Sequence, residues 1–92
     1  MTAIEPGAVL EPTDVMWRKV AGEVVILNAE GTVILGLNGT GGRVWELIDG
    51  TRTLAEIAAR IADEHAQPVD AVVTDVLGFA HALLGRRLAQ LK

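Results

Sequence analysis

One change of pattern constrains this chain more than any other feature. Up to residue 38, apolar side chains come in short runs separated by turn residues; from Gly39 onward they recur at the spacing of a helix. Val15–Val20 mixes β-branched, aromatic and polar residues, and Ala21-Gly22 sits where a tight turn belongs. Glu23–Asn28 is a second run, rich in β-branched residues, and Thr32–Leu37 is a third. Between them, Asn28-Ala29-Glu30-Gly31 has turn chemistry, with Gly31 free to take a positive φ. Runs joined by such short connections predict an antiparallel meander.

Beyond the glycine-rich stretch Gly39-Thr40-Gly41-Gly42, Val44-Trp45-Glu46-Leu47-Ile48 reads as a first helix, stopped by Asp49-Gly50. Asn38 or Thr40 is placed to cap it. Thr53-Leu54-Ala55-Glu56 is a capping box: the Thr53 hydroxyl can accept from the Glu56 amide, and the Glu56 carboxylate can accept from the Thr53 amide. Leu54, Ile57, Ala58, Ile61 and Ala62 then share one helix face. Gln67-Pro68 breaks that helix, and Pro68 suits the first turn of the next, over residues 69–86. The expectation is an α+β domain of order β-β-β-α-α-α, a three-stranded antiparallel sheet covered by helices. Residues 1–13, with Pro6, Gly7, Pro12 and no period, are expected as a flexible N-terminal tail, leaving 14–92 as a single domain.

Two surfaces look left over. The first strand carries Arg18 and Lys19, which discourage another strand from docking, whereas residues 32–37 carry neither charge nor proline. An unblunted edge offers free N–H and C=O groups to a partner strand, unless a helix, the tail or a second copy of the chain covers it. Parity leaves both faces of this strand apolar; Leu35 and Leu37 are expected inward. The last helix has an apolar stripe roughly 160° wide, broader than the ~100° that one core requires. That width predicts either burial on two sides or a groove wall made of Val72, Asp75, Val76, Phe79 and Leu83 beside the sheet edge.

Other chemistries find no residues to carry them. Positive mean hydropathy excludes disorder. A net charge of −4 argues against nucleic acid, and residues 69–84 bear Asp70 and Asp75 where a DNA-reading helix needs basic or amide side chains. Without Cys there is no disulfide and no thiolate zinc site. Without Ser, a nucleophile would have to be Thr, and no Thr has an evident basic neighbour. His65 and His81 lack metal-ligand spacing. The run Gly36–Gly42 fails the dinucleotide fingerprint, because Val44 holds its third glycine position. It fails the P-loop as well, because no Lys-Ser/Thr follows Gly41. No apolar run approaches the ~20 residues of a membrane span, and the first residues lack a secretory pattern. The chain is expected to be cytoplasmic and non-enzymatic, with no cofactor, metal, nucleic-acid or membrane partner.

Leu37-Asn38-Gly39-Thr40-Gly41, followed by Val44-Trp45-Glu46-Leu47, Asp49-Gly50, Thr53 and Glu56-Ile57, resembles the PqqD-like family, also called the RiPP precursor recognition element. Asp75-Val76-Leu77, Phe79 and Leu83-Leu84 continue the resemblance, which covers about residues 15–89. It implies a winged-helix-like fold that holds the leader segment of a ribosomally made precursor peptide. The leader would lie as an added strand along the third strand, with the third helix as the other wall, and the core segment would be presented to separate modifying enzymes. On this resemblance the backbone of Val33, Ile34, Leu35, Gly36 and Leu37 bonds the leader, with Gly36 allowing close approach. Val72, Val76, Phe79 and Leu83 hold its apolar side chains, and Asp75 engages a basic residue. The pattern over residues 37–47 is most similar to the discrete recognition proteins of lasso-peptide biosynthesis, which work beside a leader peptidase and a cyclase. Service to pyrroloquinoline quinone assembly or another radical-enzyme pathway is the alternative, and a structural subunit or homodimer pairing through the third strand is the rival class. The chain departs from the family pattern at Arg87, where Gly is common, and at Ile34, where an aromatic is common.

Overall fold

The computed structural model describes residues 4–92. Its elements run β1 (Leu10–Pro12), β2 (Met16–Val20), β3 (Glu23–Leu27), β4 (Val33–Leu37), α1 (Gly39–Leu47), α2 (Leu54–His65), α3 (Val69–Gly85) and β5 (Ala89–Leu91). Two tight turns make the three-stranded sheet. At the first, Ala21 and Gly22 both take positive φ, 52° and 84°, which a two-residue loop needs to match the twist of its strands. At the second, Asn28 Oδ1 accepts from the amides of Glu30 and Thr32 at 3.1 and 2.9 Å. The strand order β2-β3-β4 leaves β2 and β4 as edges. Val24, Val25 and Ile26 face Leu37, Gly36 and Leu35, but Leu27 faces Val33, so Ile34 is the extra residue of a β-bulge. The three antiparallel strands followed by three helices are those the sequence pattern predicts.

The helices form where the caps and periods place them, with differences at their ends. The capping box of α2 is complete: the Glu56 amide donates to Thr53 Oγ1 at 3.1 Å and the Thr53 amide to Glu56 Oε1 at 2.8 Å. Helix α1 begins at Gly39, so the glycine run belongs to the helix instead of leading into it. Asn38 stands at its N-cap but makes no side-chain cap bond, and Thr40 lies inside the helix; the Asn38 carbonyl accepts the first intrahelical bond, from Gly42 N–H at 3.4 Å. Pro68 stands one position before α3. That helix closes with Leu88 N–H donating to Leu83 O at 2.9 Å and Arg87 N–H to Leu84 O at 3.1 Å. Arg87 takes the left-handed φ of 59° that this closure requires and that glycine adopts without cost.

Residues 1–3 of the expected tail lie outside the described residues. The rest of it is docked, which corrects the boundary placed at residue 14. β1 pairs antiparallel with β5, Leu10 opposite Leu91, and Val9 bridges Thr53. Leu54 N–H donates to Ala8 O and Gly50 N–H to Leu10 O, at 2.9 and 3.0 Å. The Leu10 side chain is wholly buried. Backbone bonds on two sides and one core side chain hold this segment, and a three-residue strand is too short to show a period in sequence.

The core lies between the sheet and the helices. Val24 and Ile26 of β3 meet Val44 and Trp45 of α1, Leu54, Ile57 and Ile61 of α2, and Val76 and Ala80 of α3. α3 packs chiefly on α2, with α1 and β5 as lesser neighbours. Those several neighbours account for most of its broad apolar stripe.

Candidate functional site

The site is built from the open edge of β4 and the part of α3 that the core leaves uncovered. Leu37 is buried and Leu35 packs half-buried against the core, whereas Val33 and Ile34 are 57% and 41% exposed. Leu35 and Leu37 thus face inward, as expected. Among the described residues no strand pairs with the outer edge of β4. The N-terminal segment does not cover it either, because β1 is committed to β5.

On α3 the structure divides the expected wall. Val72, Val76 and Leu83 are buried to 2%, 0% and 2% exposure. They are core residues, so their expected role as groove-lining contacts is corrected: their side chains are already spent on the core, where α3 packs chiefly on α2. Phe79 and Asp75 remain available. Phe79 is half-buried, and Asp75 is exposed and makes no ion pair among the described residues. With Thr74, Gly78 and Ala82 they line an open recess of about 340 Å³.

Two glycines bring the recess to the strand. A Cβ placed on Gly41 would lie 2.6 Å from Phe79 Cε1, so the ring rests directly on the first turn of α1. A Cβ on Gly42 would lie 3.2 Å from the Leu37 carbonyl oxygen and 3.4 Å from Val24 Cγ2. The glycine-rich run therefore serves close packing: it seats α1 between the end of β4 and the face of α3. Sequence reasoning missed Gly41, Thr74, Gly78 and Ala82 as site residues. Gly78 carried a legible signal, because glycine inside a helix costs roughly 1 kcal/mol relative to alanine. Beyond its own helix backbone, nothing among the described residues lies within 4 Å of the position a Cβ would take there, so no tertiary contact demands it.

The paired charges of α1 and α2 serve the scaffold. Arg43 of α1 donates to both carboxylate oxygens of Glu64 on α2, at 2.9 and 2.6 Å. These bonds, with Arg60 adding a smaller effect, hold the Glu64 carboxyl at about 2. Arg43 also lies 3.7 Å from Glu46, which pairs with Lys19 of β2 at 3.4 Å. His65 and His81 are both exposed, on separate helices. The arrangement has what extended peptide binding needs: free strand-edge amides and carbonyls, an aromatic surface and one carboxylate.

The profile of the family described as "Coenzyme PQQ synthesis protein D (PqqD)" matches residues 23–89. Among solved structures, TbiB1 in complex with the TbiA(beta) leader peptide is similar, with a TM-score of 0.75 and 29% sequence identity. That match covers 87% of this chain and 94% of that one. No curated protein matches by sequence.

Proposed function

The chain belongs to the PqqD family, and on that premise we propose that it is a non-enzymatic peptide-binding protein. It captures the leader segment of a ribosomally made precursor as a fourth strand along β4 and presents the rest of the precursor to separate modifying enzymes in the cytoplasm. The observation that carries this reading is the juxtaposition of an uncharged, unpaired β4 edge with the Phe79–Asp75 recess across the first turn of α1. The similarity to TbiB1, solved with a leader peptide, supports it. In the bound state the backbone of Val33–Leu37 exchanges hydrogen bonds with the leader, Phe79 and Leu35 receive its apolar side chains, and Asp75 pairs with a basic one. The Leu37–Leu47 sequence favours lasso-peptide biosynthesis, with a leader peptidase and a cyclase as partners; the name of the matched family keeps the pyrroloquinoline quinone pathway as the second reading.

Calorimetric titration with the leader peptide, combined with light scattering, tests the proposal. A monomer that takes up one leader per chain and ignores the core segment is expected. A stable dimer indifferent to the peptide would replace the proposal with self-pairing through β4. Gly78→Ala sharpens the test: it should stabilise α3 by about 0.5–1 kcal/mol and yet weaken leader binding by filling the recess. Improved binding, or binding unchanged, would remove the recess from the site.

A further inference from the structure

The turn between β3 and β4 fixes which backbone groups the open edge offers. Gly31 takes a φ of 80°, the Asn28 carbonyl accepts from Gly31 N–H at 3.0 Å, and Asn28 N–H donates to Thr32 O at 3.0 Å. Asn28 thus turns its polar backbone groups toward β4. Along an antiparallel strand that direction alternates, so Ile26 and Val24 bond toward β4 as well, to Leu35 and Leu37 opposite them. Val25 and Leu27 bond the other way, toward β2. Gly36 and Val33 stand opposite Val25 and Leu27. Both therefore turn N–H and C=O to the outer edge, where no strand pairs among the described residues.

The bulge decides this assignment. Continued without a break from Val33 opposite Leu27, the ladder would set Leu35 opposite Val25 and turn Leu35 and Leu37 out of the core. The turn and the core disagree by one residue, and Ile34, opposite no residue of β3, absorbs the difference. The outward groups therefore fall on Gly36 and Val33, whose partners on β3 are two residues, or about 7 Å, apart. Gly36 is the one beside the recess: Leu37 follows it and packs on Gly42, and Gly41 carries the Phe79 ring. Beyond its chain neighbours, no described residue lies within 4 Å of the position a Cβ would take on Gly36, so packing does not demand glycine there. Glycine inside a strand often marks the close approach of another backbone. We propose that Gly36 and Val33 are the two main-chain stations at which β4 holds the leader strand, with the Ile34 bulge setting their register. The leader residue that donates to the Gly36 carbonyl is then any residue except proline. The proposal rests on the leader-binding reading and narrows Val33–Leu37 to two of its residues.

Amide hydrogen exchange of the whole chain, followed residue by residue by NMR with and without a synthetic peptide of the cognate leader, tests this. In the empty chain the Val33 and Gly36 amides should exchange about 10-fold or more faster than those of Leu35 and Leu37. The peptide should slow Val33 and Gly36 by about 10-fold or more and add little at Leu35 and Leu37. Gly36→Ala keeps both backbone groups and should bind the peptide within about 3-fold of the wild type. Gly36→Pro removes an N–H that no ladder bond uses, and should weaken binding by about 10-fold or more with little change in melting temperature. If that variant does not fold, the exchange pattern decides alone. Slow exchange at Gly36 in the empty chain, protection that the peptide brings to Leu35 instead of Gly36, or equal binding by the two variants overturns the proposal. A chain that takes up the peptide with Gly36 unprotected fails this proposal only. A chain that takes up none fails the leader-binding reading, and this proposal with it.

Discussion

β2 and β4 are edges of the same sheet, and the chain equips them in opposite ways. The β2 edge is tied down through its side chains. Lys19 reaches Glu46 at 3.4 Å, and Trp17 stands edge-on to Trp45, with ring centroids 6.3 Å apart and planes at 85°. Arg18 and Lys19 also place charge along that edge, which blunts it against another strand. The β4 edge has no charge, and the part of α1 beside its end is glycine. One helix thus serves both edges, with aromatic and charged residues in its second half and none in its first turn. An edge is made unavailable by adding side chains and kept available by leaving them out.

Four measurements break or sharpen that contrast. The largest effect belongs to the β2 side. Trp45 is 1% exposed, and its indole N–H has no hydrogen-bond partner among the described residues, so it anchors by packing alone. Trp45→Ala should cost about 3–5 kcal/mol, a large part of the 5–15 kcal/mol typical of a domain, read as a lower denaturation midpoint. The Trp17 ring should become more exposed with it.

On the β4 side, Gly41→Val drives a side chain into the Phe79 ring. A stability loss of about 1–3 kcal/mol from overpacking is expected, with leader affinity falling about 10-fold or more as the ring moves. Intact affinity beside the stability loss would show that Phe79 is scaffold and not a contact.

A paired substitution compares the edges directly. Ile34→Lys and Val20→Lys both replace residues that are 41–50% exposed, so each should change stability by no more than ~0.5 kcal/mol. The first gives β4 the charge that β2 already has and should weaken leader binding by about 10-fold; the second should leave it alone. Equal effects in calorimetry would erase the distinction between the edges.

The smallest effect concerns acid. In the folded chain Glu64 sits at about 2, below its ordinary value of 4.5, because Arg43 donates to it. A depressed carboxyl contributes stability above its unfolded value and loses it as pH falls toward the folded one. The wild type should therefore lose stability from about pH 4.5 down to about 2, and Glu64→Gln should lose less over that window in thermal melts. Asp49 and Glu56 are lowered too, by hydrogen bonds from Thr51 and Thr53. The slope is therefore reduced and not abolished. Leader binding should not follow this titration, because Glu64 lies on α2 and is not among the residues that line the recess.

Much of this architecture is legible in local signals. Ala21-Gly22, Asn28 with Gly31, the Thr53–Glu56 box and the period of Leu54, Ile57 and Ile61 each concern residues within a few positions of one another. Turn and cap energetics act at that range, so those elements formed where the pattern placed them. The unblunted β4 edge was equally legible, as an absence of charge and proline. The bulge at Ile34 was not, because it reflects pairing with a strand several residues away.

Sequence by itself determined the order of strands and helices, the positions of the turns and the choice of β4 as the undefended edge, because propensity, capping and charge are carried by neighbouring residues. Tertiary structure alone decided which apolar residues of α3 are core and which are surface. Val72, Val76, Phe79 and Leu83 belong to one wide stripe, and only the placement of α2, α1 and β5 around that stripe buries three of them and leaves the ring of Phe79 on Gly41. It also decided that residues 8–12 belong to the domain, through β5 at the opposite end of the chain. The hydrophobic effect has no direction: a pattern states how much apolar surface a helix must bury, and only the packed neighbours state where.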